Sequence, residues 1–246
     1  MLNRRHIVSV GAACAMALGV IGGSQAYAGD QTGALQQEIN EVLANTQGGV
    51  QISPNEIAWD NGNVIMSFPE PGETDAPASS PAAAKLEAKV SAPAGASSAD
   101  IAEAADAIVA DSATDDAADE GSGDDPSGIV SGAGSDSSCP TVVFGNDWYC
   151  FYQYTNYGGR RLSFSAAYST ANAIMFDSYD FENRTSSWSN KGGKTIYVAG
   201  RTVANNNYSC NHWVNGKSGL LWKEGDHSHS PSLGSLDNQA DCFWTS

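Results

Sequence analysis

Residues 150–165 read CFYQYTNYGGRRLSFS, with rings at Phe151, Tyr152, Tyr154 and Tyr157 and the pair Gly158-Gly159 directly behind them. A half-buried strand alternates apolar and polar residues and then stops at a turn. This stretch keeps its aromatics in a cluster and resumes as RRLSF after the glycines. That pattern predicts a hairpin whose arms fold back over one another. Such a fold needs a backbone position that tolerates φ > 0 and close approach, which glycine supplies. The rings supply large buried area with defined packing. A hydroxyl arriving later in the chain can pair backbone groups of the folded hairpin.

The surrounding residues 139–246 continue the theme. They hold Cys139, Cys150, Cys210 and Cys242, five of the six tryptophans and eight of the nine tyrosines. Short β-rich runs (WYCFYQY, RRLSF, TIYVAG, LLWKE) alternate with Gly, Asn and Ser turns, and no long helical period interrupts them. This is the pattern of an all-β sandwich or barrel.

Upstream, the chain opens like an export signal: Arg4, Arg5 and His6, a mostly apolar run from Ile7 to Ile21, and Ala26-Tyr27-Ala28 as a small-x-small cleavage site. Residues 1–28 are expected to be removed, and the product to be secreted and extracellular. The apolar run is shorter than a membrane span. Residues 29–69 contain a helical stripe (Leu35, Ile39, Val42, Leu43), then VQIS and IAWDNGNVIMSF as strands around an Asp60-Asn61-Gly62 turn. Residues 70–138 are rich in Ala, Ser, Asp, Pro and Gly and carry 15 acidic residues against Lys85 and Lys89. They read as a disordered acidic tether, with some helical spacing in SSADIAEAADAIVADSA. The net charge of −16 therefore sits mostly in one segment, and residues 139–246 balance eight acidic against eight basic residues. Nucleic-acid binding has no basic patch to rest on.

Tyr152-x4-Tyr157-x-Gly159 has the form that opens a βγ-crystallin Greek key, and ENRTSS (182–187) resembles the second half of that motif through Asn183, Ser186 and Ser187. A second copy is fainter: Asp237-Asn238 open DNQADC, but Asp241 and Cys242 replace the two hydroxyl residues. With the CP…C start that runs into the first key, residues 139–246 resemble the secreted actinobacterial peptidase inhibitors of the Streptomyces metalloproteinase inhibitor type. The resemblance implies a βγ-crystallin-like double Greek-key sandwich, preceded by the small helix-plus-hairpin segment and the linker. It implies an inhibitor of an extracellular peptidase, a metalloproteinase in class, acting as a monomer with no required cofactor, no nucleic acid and no membrane.

Four cysteines in an exported domain allow three pairings. The resemblance favours Cys139–Cys150, and Cys210–Cys242 follows as its complement. Inhibition calls for an exposed, rigid loop, because ordering a loop on binding weakens affinity. NNNYSCNHWVNGKSG (205–219) is the candidate, with Tyr208, Cys210, Asn211, His212 and Trp213 facing the peptidase. Crystallin-like keys can also bind calcium through hard oxygen ligands. The candidates are Glu182, Asn183 and Ser186 in the first key and Asp237, Asn238 and Asp241 in the second. The alternatives are thus a calcium-binding structural or cell-surface module, or a small secreted toxin of this fold.

Other chemistry finds little support. His227 and His229, with His212, sit in polar loop sequence and read as solvated residues. GKS at 216–218 lacks the first glycine of a phosphate loop, since Asn211 stands there. No GxSxG or HExxH motif occurs, and bridged cysteines leave no thiol nucleophile. An enzyme is not expected.

Overall fold

In a computed structural model, the structure describes residues 26–112, 138–141, 148–165, 173–200, 210 and 220–246. The elements run α1 (Ala26–Asn45), β1 (Val50–Ser53), β2 (Glu56–Trp59), β3 (Val64–Ser67), α2 (Pro81–Ser91), α3 (Ser98–Ser112), β4 (Trp148–Tyr152) and β5 (Arg161–Ser165). They continue with β6 (Ile174–Met175), β7 (Ser187–Asn190), β8 (Ile196–Ala199), β9 (Leu220–Glu224), β10 (Ser228–Ser230) and β11 (Cys242–Thr245).

The strands form two antiparallel sheets, ordered β1-β2-β3-β5-β4-β7-β10 and β6-β11-β8-β9. From β4 onward the order is that of two Greek keys. In the first key β5, β4 and β7 lie side by side, while β6 crosses to the other sheet and pairs with β11. The second key repeats this: β9, β8 and β11 share a sheet, and β10 crosses back to pair with β7. Each key lends its third strand to the other. The double Greek-key sandwich expected from the motif is the architecture of this half of the chain.

The main core lies between the sheets. Phe151, Leu162, Phe164, Phe176, Trp188, Val198 and Phe243 fill it, and Phe164 packs ring to ring on Phe243 at 4.7 Å. The amino-terminal segment enlarges the same sheet, since β3 pairs with β5 along four residues from Val64↔Phe164 to Ser67↔Arg161. Ile39 and Val42 of α1 are buried in the core, with Leu35 and Leu43 packed at its margin, so the helical stripe is the packing face. At the β2–β3 connection Asp60, Asn61 and Gly62 all take positive φ. A Cβ on Gly62 would stand 2.8 Å from the Leu86 Cβ, so glycine is needed there twice over.

One expectation fails. Within the segment 70–138, read above as a disordered tether, residues 81–91 and 98–112 form α2 and α3. The helix starts are well made. The Ser80 hydroxyl accepts from Ala83 N–H with Pro81 in the first turn. Ser97 and Asp100 cap α3 reciprocally, with Asp100 N–H donating to Ser97 Oγ at 3.2 Å and Ser97 N–H to Asp100 Oδ2 at 2.9 Å. Those bonds hold the Asp100 carboxyl below its usual range. The reason composition misled is that alanine packs here. Ala83, Ala84, Ala88, Ala104, Ala105 and Ile108 join Ala58, Ile65, Trp148, Cys150 and Tyr152 in a second buried cluster on the outer face of the long sheet.

That cluster answers the question raised by residues 150–165. Tyr149 and Phe151 point to the inner core, while Trp148, Cys150 and Tyr152 point to the outer cluster. Every residue of β4 is buried. A strand covered on both faces has no polar side, so its sequence runs apolar without alternation.

Candidate functional site

The first folded hairpin is built around a 3₁₀ turn at Thr155–Tyr157. Asn156, Tyr157 and Gly159 have φ of 56°, 62° and 73°. A Cβ at Gly159 would fall 2.7 Å from the Tyr154 ring, the contact that reserves this position for glycine. The Tyr152 and Tyr157 rings meet edge to face at 5.3 Å. The two serines of the motif then close the corner. Ser187 Oγ donates to the Tyr154 carbonyl at 2.6 Å and accepts from Tyr157 N–H at 3.0 Å. Ser186 Oγ donates to the Gln153 carbonyl at 2.8 Å. Phe151 is a core ring as its sequence suggests, whereas Tyr154 is 56% exposed and caps the corner from outside.

The second key copies this frame although its sequence is degenerate. Ser186 N–H donates to the Tyr152 carbonyl, and Asp241 N–H donates to the Ala199 carbonyl, both at 2.9 Å. Across the approximate twofold, Asn183 N–H donates to the Ala240 carbonyl at 2.9 Å and Asn238 N–H to the Thr185 carbonyl at 3.0 Å. Asn183 and Asn238 share a left-handed backbone, φ 53° and 55°. DNQADC is thus the structural partner of ENRTSS. Cys242 occupies the place of Ser187, and where Ser187 ties its hairpin by hydrogen bonds, Cys242 ties its own covalently. The bridges are Cys139–Cys150 and Cys210–Cys242. Cys210 lies between β8 and β9, in the hairpin that matches the folded one of the first key, and is 1% exposed. The clamp therefore fixes one point of the 201–219 connection against β11. Tyr208, Asn211, His212 and Trp213 lie outside the described residues.

The calcium candidates are placed as follows. Asn183, Asp237 and Asn238 are exposed, Glu182 is half-buried, and Ser186 and Asp241 are buried. The Ser186 hydroxyl is engaged in the corner, and Asp237 Oδ2 accepts from Asn238 Nδ2 at 3.1 Å. Among the described residues no three His, Cys, Asp or Glu side chains gather around a common point. His229 of β10 meets the Tyr157 hydroxyl through Nδ1 at 2.9 Å and stacks on its ring, so this histidine belongs to the fold and not to open solvent.

The sequence reading missed the arginine pair that follows the glycines. Arg160 is only 4% exposed, lies over Phe68 at 5.8 Å and faces Glu38 at 3.4 Å and Asp180 at 3.5 Å. Burial, then the like charge of Arg184, push its guanidinium below its ordinary value against the pull of those carboxylates. It joins α1 to the first key. Arg161 is fully buried. Buried arginines amid strand residues were the available signal of a covering layer.

A sequence model of the peptidase inhibitor family I36 matches residues 132–210. The match takes in the first key and reaches as far as Cys210. One solved structure, described as "Evolution of the eye lens beta-gamma-crystallin domain fold", aligns with 11% identity over 42% of this chain and 87% of its own, at a TM-score of 0.29. A search among curated proteins found no match. Residues 132–210 are therefore similar to peptidase inhibitors, and the two bridges fit an oxidising compartment. No helix among the described residues is long and apolar enough to cross a membrane.

Proposed function

We propose that the chain is a secreted inhibitor of an extracellular peptidase, a metalloproteinase in class, and that it presents the connection between β8 and β9 to the enzyme. The family match supplies the peptidase as partner. The observation that carries the choice of loop is the Cys210–Cys242 clamp. It stands where the first key uses the Ser187 hydrogen bonds. A covalent tie holds the loop base through binding and lowers the entropy lost on complex formation. Tyr208 and Trp213 flank the clamp in sequence and are the aromatic anchors of the reading. The inhibitor needs no metal or cofactor of its own, works as a monomer, and leaves the cell after removal of residues 1–28.

The test is inhibition of a panel of metallo-, serine and cysteine peptidases by the full secreted chain. Tyr208→Ala and Trp213→Ala should each weaken inhibition of the sensitive peptidase at least 10-fold with thermal unfolding unchanged. Full inhibition by both variants would remove the loop from the mechanism. No inhibition across the panel, with calcium raising the melting temperature, would favour the calcium-binding structural module instead. Glu182, Asn183, Ser186, Asp237, Asn238 and Asp241 would then be the residues to substitute.

A further inference from the structure

The outer face of the long sheet holds a charge cluster that the proposed inhibition does not use. Glu56 of β2, Glu87 of α2 and Arg161 of β5 are each 0% exposed. Arg161 donates through Nη1 to the Pro77 carbonyl and through Nη2 to Ser67 Oγ, both at 3.0 Å. Glu56 accepts from the Ser80 N–H at 3.1 Å and from the Ser80 hydroxyl. Glu87 Oε1 accepts from Ser79 Oγ at 2.7 Å, while its Oε2 is buried with no hydrogen-bond partner among the described residues.

Two carboxylates thus share one guanidinium, and with all three ionised the cluster would bury an uncompensated negative charge. One proton removes it. Glu56 is the poorer holder of that proton, because it takes two hydrogen bonds at the first turn of α2, where the helix dipole favours an anion. Glu87 lies in the middle of α2 and accepts a single bond. Burial, opposed by Ser79 and Arg161 and reinforced by Glu56, raises its carboxyl to about 7. The remaining charged groups of the packed elements face solvent: Lys85 and Lys89 on α2, Asp100, Glu103 and Asp106 on α3, Asp60 beside β2 and Asp75 in the segment leading to α2 are all exposed.

We propose that α2 and α3 form a proton-latched cover over the outer face of the sheet, seated while Glu87 is protonated and loosened when it ionises. The proton leaves the Glu87 carboxyl for solvent as the helix lifts, and Arg161, Ser67 and Ser163 are uncovered beneath it. The latch joins residues of the amino-terminal segment to a residue of the first key, so it couples the two halves of the chain to pH.

Hydrogen exchange on the full chain tests this directly. Corrected for intrinsic rates, the amides of residues 84–91 should open on the order of 10-fold more at pH 8 than at pH 6. Amides of β11 should show no such change, and Glu87→Gln should abolish the dependence while the cover stays seated. A change under twofold in the parent chain, parallel opening of β11, or an unaltered pH dependence in the variant would each overturn the proposal. Should Glu87→Gln not fold, NMR titration of the Glu87 carboxyl in the parent decides: a midpoint near 7 supports the latch, and one near the ordinary 4.5 refutes it.

Discussion

Ser187 and Gly159 carry the local argument. Removing the Ser187 hydroxyl leaves Tyr157 N–H and the Tyr154 carbonyl without their shared partner inside a buried corner. Ser187→Ala should cost about 1–3 kcal/mol in urea unfolding, the penalty for stranding buried backbone groups. Gly159→Ala combines a positive φ with a Cβ driven against the Tyr154 ring. It should cost about 1–3 kcal/mol as well, and a loss below about half a kcal/mol would mean the corner relaxes freely. These two positions were legible because the motif names residues with a backbone duty. The Cys242 position was not. Its hydroxyl partner is missing from the sequence, and only the reciprocal bonds of Asn183 and Asn238 reveal that the second corner exists.

Strands and helices differ in how openly they advertise themselves. The stripe Leu35, Ile39, Val42, Leu43 gave α1 because large side chains at helical spacing need a core. The helices α2 and α3 stayed hidden because they bury alanines, which low-hydrophobicity disorder also favours. The clue lay elsewhere, in a β4 strand with no polar face and in two arginines with nowhere obvious to be solvated. At this scale the Cys210–Cys242 clamp is the element to perturb. Its loop spans a sequence separation of 32, for which chain-entropy reasoning gives about 4 kcal/mol. The paired substitution Cys210→Ser with Cys242→Ser should lower stability by roughly that amount in denaturant melts. It should also weaken peptidase inhibition more than it lowers the melting temperature of the first key would explain. Equal inhibition by the unclamped chain would show that the loop needs no anchor.

Taken as a whole, the molecule is one sheet system with two covers, the second sheet and α1 on the inner face and α2–α3 on the outer. Glu87 makes its stability depend on pH in a definite sense. Its folded carboxyl titrates near 7 against 4.5 for the model value. Below the lower value both folded and unfolded states are protonated and no penalty arises. Between the two, the unfolded chain ionises first, and folding loses ground as pH rises until about 7, beyond which the loss is constant. Glu87→Gln should therefore match the parent near pH 4.5 and exceed its stability by up to about 3 kcal/mol at pH 8. No widening of that gap with pH would remove Glu87 as its source. The central claim concerns the partner, and the decisive measurement is titration of a secreted metalloproteinase with the full chain while hydrolysis of a peptide substrate is followed. A stoichiometric loss of activity that Trp213→Ala relieves is the predicted result. Undiminished hydrolysis at saturating chain, across metallo-, serine and cysteine peptidases alike, would contradict the account.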